Sequence, residues 1–177
     1  RMTKYNNLSK ILNAMARRDQ TAIKRVRKTL VFDDKVQRLN TEHLKKIVEK
    51  YGWPTINLVG KKASRNAWLI IQHADHDVRF QKKCLAMMQR IYTCAPHSIA
   101  KENIAFLTDR ILVNTKKKQL FGTQFYVNKK GVFTHRPIRD FRSLDVRRRE
   151  YGIPLFDEYR KATTFIKPLR IKGFRQK

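Results

Sequence analysis

Apolar residues open the chain at helical spacing: Leu8, Leu12, Met15, Ala22 and Val26, with Ile11 and Ile23 beside them. The pattern predicts a long first helix with Arg17, Arg18, Lys24, Arg25 and Lys28 on its sides. Asp19 breaks the pattern, because it stands in line with Met15 and Ala22 on the apolar stripe. Asn40-Thr41 offers an N-cap for a short helix carrying Leu44, Ile47 and Val48. That helix is expected to end near Gly52, with Pro54 blocking any continuation. A third helix is expected to start near Ala63, its stripe formed by Ala67, Ile70, Ile71 and Ala74. Phe80, Cys84, Met87, Met88 and Ile91 make a second stripe. Between the two lies His73-Ala74-Asp75-His76-Asp77. There the helix either runs through or breaks, with Asp75 or Asp77 capping a new one. Pro96-His97-Ser98 opens a further helix with Ala100, Ile104, Leu107 and Ile111 inward.

After Lys116-Lys117-Lys118 the period changes. Leu120, Phe121, Phe125, Val127, Val132 and Phe133 flank Asn128-Lys129-Lys130-Gly131, the pattern of a β-hairpin with glycine in its turn. Gly122-Thr123-Gln124 then falls mid-strand. The expected fold is mainly α: one helical domain over residues 1–160 with a hairpin at about 119–138, and a basic tail at 161–177.

Charge changes this picture most. Forty-one Lys and Arg against 14 Asp and Glu give a formal net charge of +27 on 177 residues. Such self-repulsion makes sense beside a polyanion, for which nucleic acid is the commonest source; an anionic membrane or an acidic protein fits the same charge. Hydrophobic residues at 41% supply a sizeable core, so this is not a disordered basic tail. Cys84 and Cys94 lack the spacing of a zinc site or a disulfide framework. No apolar run approaches the ~20 residues that span a bilayer, and no signal peptide is visible. The opening Arg is compatible with a fragment cut from something longer, with which a secretion signal could have been lost.

His73 and its neighbours carry the sharpest chemical signal. Imidazole titrates near neutrality, and a carboxylate beside it can orient the ring and stabilise its charged form. In a continuous helix His73 and Asp77 share a face; in a broken one His73 sits at a helix C-terminus. The competing reading is simple capping by Asp and His. Asp19 needs an Arg, His or other donor from another element, and a structural ion pair would satisfy it as well as a catalytic role. Arg110 carries the same ambiguity, and Thr123 and Gln124 could hold a phosphate or base edge. His43, His97 and His135 show no metal-ligand spacing; His73, Asp75, His76 and Asp77 could be argued into a metal site but match no known ligand pattern, so neither metal nor cofactor is expected. Phosphate contacts are expected from Lys116, Lys117, Lys118, Arg147, Arg148, Arg149, Lys172 and Arg175. Trp53, Trp68, Tyr92, Phe121 and Tyr126 interleave with basic residues, as stacking platforms or as core.

Several motifs recur together over roughly residues 8–160: Met15-Ala16-Arg17-Arg18-Asp19-Gln20, Gly52-Trp53-Pro54 with Val59-Gly60, Gln72-His73-Ala74-Asp75 with Asp77, Leu107-Thr108-Asp109-Arg110, Gln119 with Gly122-Thr123-Gln124, and Arg148-Arg149 before Gly152. In these the chain resembles a bacterial domain family of unknown function. The resemblance implies that Asp19, Gln20, His73, Asp75, Arg110 and Gln124 form one recurring polar set. It also implies less basic relatives, so the charge and tail are departures that point to a polyanion. A small, basic, detachable domain also looks like the nuclease end of a bacteriocin or polymorphic toxin.

The expected function is metal-independent RNA or tRNA cleavage by such a toxin domain, acting in a cytoplasm after secretion within a larger protein. His73 would serve as general base or acid, Asp75 or Asp19 would orient it, and Arg110 and Gln124 would stabilise the phosphorane charge. RNA is expected as partner, with an acidic immunity protein in the producer. The alternative is a non-enzymatic, ribosome- or nucleic-acid-associated structural protein; an enzyme acting on a nucleotide or a phosphorylated small molecule is a third possibility.

Overall fold

The computed structural model describes residues 5–29 and 33–164. Among them it is mainly helical, with one two-stranded antiparallel hairpin, as the periodicity predicts. The chain divides into two compact units, one ending at Ala100 and the other starting at Lys101.

In the first unit α1 (Asn6–Thr29) is the long opening helix, burying Leu8, Leu12 and Met15. Each such side chain contributes about 1.5–3 kcal/mol by leaving water. Next follow α2 (Lys35–Tyr51), the single turn α3 (Ile56–Val59) and α4 (Lys61–Gln72). α1 packs chiefly on α4, which buries Ala63, Ala67, Ile70 and Ile71. α5 (Val78–Cys94) buries Phe80, Cys84 and Met88, and a 3₁₀ turn, Pro96–Ser98, closes the unit. Burial pushes the Cys84 thiol up to about 12, so it packs as an inert apolar group.

Three places differ from the sequence pattern, the first being Pro96-His97-Ser98, which forms its own 3₁₀ turn, so that the following helix starts at Lys101 and Ala100 lies outside it. α2 begins at Lys35, not after Asn40-Thr41, because those two residues have work inside the unit. Asn40 Nδ2 donates to Met15 O at 3.1 Å, tying α2 to α1, and the Thr41 hydroxyl donates to Gln37 O at 2.8 Å. α3 escapes periodicity because four residues carry no period; Thr55 caps it, its Oγ1 accepting from Leu58 N at 3.2 Å.

The second unit holds α6 (Lys101–Asn114), β1 (Phe125–Val127), β2 (Phe133–His135), α7 (Leu144–Glu150) and α8 (Phe156–Thr164). β1 and β2 pair with Tyr126 opposite Thr134. Asn128 closes the turn: its Oδ1 accepts from Lys130 N and Val132 N, and Gly131 takes φ +79°. Gly122-Thr123-Gln124 is not mid-strand: it lies in the loop before β1, held in a shape no ladder would permit. Ala105, Phe121 and Ile153 form a buried cluster there. Of the basic tail, residues 165–177 lie outside the described residues.

Candidate active site

The line of α1 that buries Leu12 and Met15 carries Asp19 into the same interior, where it is 1% exposed. Its partner is His73, the C-cap residue of α4, with His73 Nδ1 2.7 Å from Asp19 Oδ2. An ionised carboxylate can only accept, so Nδ1 carries the proton and donates. Nε2 is then the nitrogen left with a lone pair while the ring is neutral. The His73 side chain is 23% exposed, so the ring bridges the buried carboxylate and solvent. Gln20 Nε2 adds a longer bond to the same Asp19 oxygen at 3.3 Å. The other oxygen, Oδ1, is buried with no protein partner.

The segment after His73 resolves as a break between helices, with each polar residue given a separate task. Asp77 caps α5, its Oδ1 accepting from Phe80 N at 2.9 Å, while Lys45 Nζ lies 2.8 Å from its Oδ2. Burial pushes the Asp77 carboxyl up, but Lys45 and the Phe80 N–H together hold it below the usual carboxylate range. Asp75 is exposed, and its Oδ1 accepts from Gln81 Nε2 at 3.4 Å. Of the two acids expected to orient His73, Asp19 is the one bonded to its Nδ1. Gln81 is fully buried and also donates to Ile71 O at 3.1 Å, tying α5 to the end of α4. Its only sequence signal is a polar residue beside the Phe80–Cys84–Met88 stripe.

His76 has a buried Nε2 without a hydrogen-bond partner. Burial first, and the positive charge of Arg38 second, hold its pKa below the usual histidine value; Asp34 and Asp77 oppose this and Lys45 adds to it. The folded chain therefore binds this proton less readily than the unfolded chain. The resulting stability is complete above the ordinary histidine pKa of about 6.5 and is lost as pH falls through the lowered folded value. Urea unfolding at pH 7 and pH 5 should show a stability loss on acidification that shrinks in His76→Gln. An equal loss in both proteins would clear His76 of the effect.

In the second unit Asp109, fully buried, organises the loop that carries the Gly-Thr-Gln motif. It accepts from Leu120 N at 2.7 Å, Phe121 N at 3.0 Å, Thr123 N at 2.9 Å and the Thr123 hydroxyl at 3.0 Å. Burial raises its pKa, and the Thr123, Phe121 and Leu120 donors work against that shift. Gln119, also fully buried, closes the loop from the other side: Nε2 donates to Gln124 O and Arg136 O, and Oε1 accepts from Gln124 N. The loop in turn sets Gln124, whose Oε1 accepts from Arg110 Nη1 at 3.1 Å and whose Nε2 donates to Thr123 Oγ1 at 3.0 Å. Two pairs of the expected polar set are thus built, Asp19 with His73 in the first unit and Arg110 with Gln124 in the second.

Gly122 sits at φ +67°, and a Cβ there would lie 2.8 Å from Phe156 Cε2 and 3.1 Å from Ile138 Cδ1. Gly122→Ala should therefore lower stability by about 2–4 kcal/mol in urea unfolding, through both backbone strain and overpacking. A near-neutral result would mean that Phe156 has room to move.

The basic residues divide sharply. Lys116, Lys117, Lys118 and Arg149 are exposed, as phosphate contacts require. Arg148 is not one of them, because it is fully buried. Its Nε donates to Pro154 O at 2.6 Å, its Nη1 donates to Phe121 O, and its guanidinium lies 4.9 Å from the Tyr159 ring centroid. Arg147 is spent on backbone as well, donating to Leu120 O, Arg139 O and Asp140 O. Lys172 and Arg175 lie outside the described residues. Trp53 and Phe121 are core, whereas Tyr126 is half-buried under the Arg136 guanidinium at 4.3 Å. Among the described residues, no group of three or more His, Cys, Asp or Glu could hold a metal ion, and no helix is long and apolar enough to cross a membrane.

A family model described as "Family of unknown function (DUF6624)" matches residues 8–172. No curated protein and no solved structure matches the chain.

Proposed function

The chain belongs to this family of unknown function, and we propose that it is a toxin-type domain that cleaves RNA by transesterification with His73 as the proton-transfer group. One observation carries the reading: a carboxylate that is 1% exposed lies 2.7 Å from Nδ1 of a partly exposed imidazole, so that as an acceptor it holds the proton on Nδ1. The arrangement gives His73 Nε2 a lone pair in the neutral ring and a steadying negative charge behind the ring once it is protonated.

In the proposed step Nε2 takes the proton of a ribose 2′-OH. The 2′-oxygen attacks the adjacent phosphorus, the bond from phosphorus to the 5′-oxygen breaks, and a proton returns to that leaving oxygen. The products are a 2′,3′-cyclic phosphate and a free 5′-OH. RNA is favoured because its own hydroxyl is the nucleophile, so His73 needs only to move a proton. The formal charge of +27 supports a polyanionic substrate and rapid capture.

The test is incubation of the purified protein with tRNA and total RNA in EDTA, beside a His73→Ala variant of verified fold. Wild type should leave 2′,3′-cyclic ends, and the variant should be slower by at least about a hundredfold. Intact RNA in the wild-type lane, with circular dichroism confirming the fold, would sink the proposal. RNA that is bound but uncut would leave the non-enzymatic, nucleic-acid-associated reading in its place.

A further inference from the structure

We propose that Phe141 and the hairpin surface around it form a base-stacking platform for single-stranded nucleic acid. The inference rests on the nucleic-acid reading of the charge and adds to it a second site, in the second unit. Phe141 is 56% exposed, the most exposed of the large apolar side chains among the described residues. A single exposed aromatic is ordinary, but this one is held in place. Its turn contains Asp140 at φ +45°, a left-handed conformation uncommon outside glycine. Arg147 locks that turn: its Nη2 donates to Arg139 O at 2.8 Å and Asp140 O at 2.7 Å, and its Nε donates to Leu120 O at 2.9 Å. A half-buried arginine is thus committed to presenting an apolar ring to water.

The ring caps an aromatic cluster whose other members are buried or half-buried. Phe141 stands perpendicular to Phe156 at 5.5 Å and tilted against His135 at 6.3 Å. Behind them Phe125 stacks on Phe133 at 5.3 Å. Arg136 lies 4.3 Å over Tyr126, which alternates to the other face of the hairpin from Phe125. The charges around this surface select the occupant. Residues 124–142 carry Lys129, Lys130, Arg136, Arg139 and Arg142 against one acid, Asp140, whose carboxylate already faces Arg147 Nη1 at 3.3 Å. An exposed aromatic face among these cations fits a strand whose bases are unstacked and whose phosphates lie alongside. A duplex keeps its bases inside and offers nothing for Phe141 to stack on.

The experiment measures anisotropy with a labelled, single-stranded 2′-O-methyl RNA, which cannot be cut by the proposed mechanism. Heparin and polyglutamate serve as polyanions without bases. Phe141→Ala should bind the single strand about tenfold more weakly, the loss of one stacked base, while heparin affinity stays within about twofold. Phe141→Trp should restore single-strand binding, which a merely destabilised fold would not do. Unchanged binding by Phe141→Ala overturns the platform alone, as does an equal loss for RNA and heparin. Polyglutamate held more tightly than the single strand would assign the surface to an acidic protein and overturn it too. Wild type that ignores both RNA and heparin would overturn the nucleic-acid reading itself, together with this site.

Discussion

Asp19→Asn should slow RNA cleavage by about 10²–10⁴-fold while leaving RNA affinity nearly unchanged. The substitution keeps the shape of the side chain and removes the charge that steadies the imidazolium. When the new amide turns its NH₂ toward Nδ1 it also reverses the tautomer, placing the proton on Nε2 where the lone pair is needed. Asn keeps a polar partner for the ring and removes a charge from a site that is 1% exposed, so stability should change little. A structural ion pair makes the opposite pair of predictions: lower stability and full activity. Single-turnover rates with urea unfolding on the same preparations separate the two, and retained cleavage by Asp19→Asn would remove His73–Asp19 from the mechanism.

Asp109→Ala should destabilise the second unit by about 3–5 kcal/mol, because three backbone N–H groups and one hydroxyl lose their acceptor inside the protein. Gln119 Oε1 cannot substitute, since it is already taken by Gln124 N. The loss should appear as faster amide hydrogen exchange at Leu120, Phe121 and Thr123. If those amides stayed protected, the carboxylate would not be what holds the loop.

The helices were legible because burial on one face repeats every three or four residues. The hairpin was legible because glycine and asparagine leave a local trace in its turn. The end of α2 followed the same local logic at Gly52, but its start did not. Asn40 and Thr41 look like caps, yet Asn40 reaches across to Met15 O on α1. The triple Arg147-Arg148-Arg149 misled in a related way. Successive residues on α7 point about 100° apart, so one triple faced backbone carbonyls, the core and solvent in turn. The faint clue was Leu144, four residues before Arg148 and on the same inward face.

The sequence by itself determined the long helices and the hairpin, the cluster of polar residues after Ile71, the net charge of +27, and the oddity of Asp19 on an apolar stripe. Those are local or additive properties, readable without knowing what meets what. Only the tertiary structure decided that Asp19 is answered by His73, 54 residues away, and that Asp109 holds the Gly122 loop. It also decided that Arg148 is core and that Phe141 is left in water. A buried polar group must find its partner where packing brings one, and that choice depends on contacts distant in sequence that no periodicity encodes.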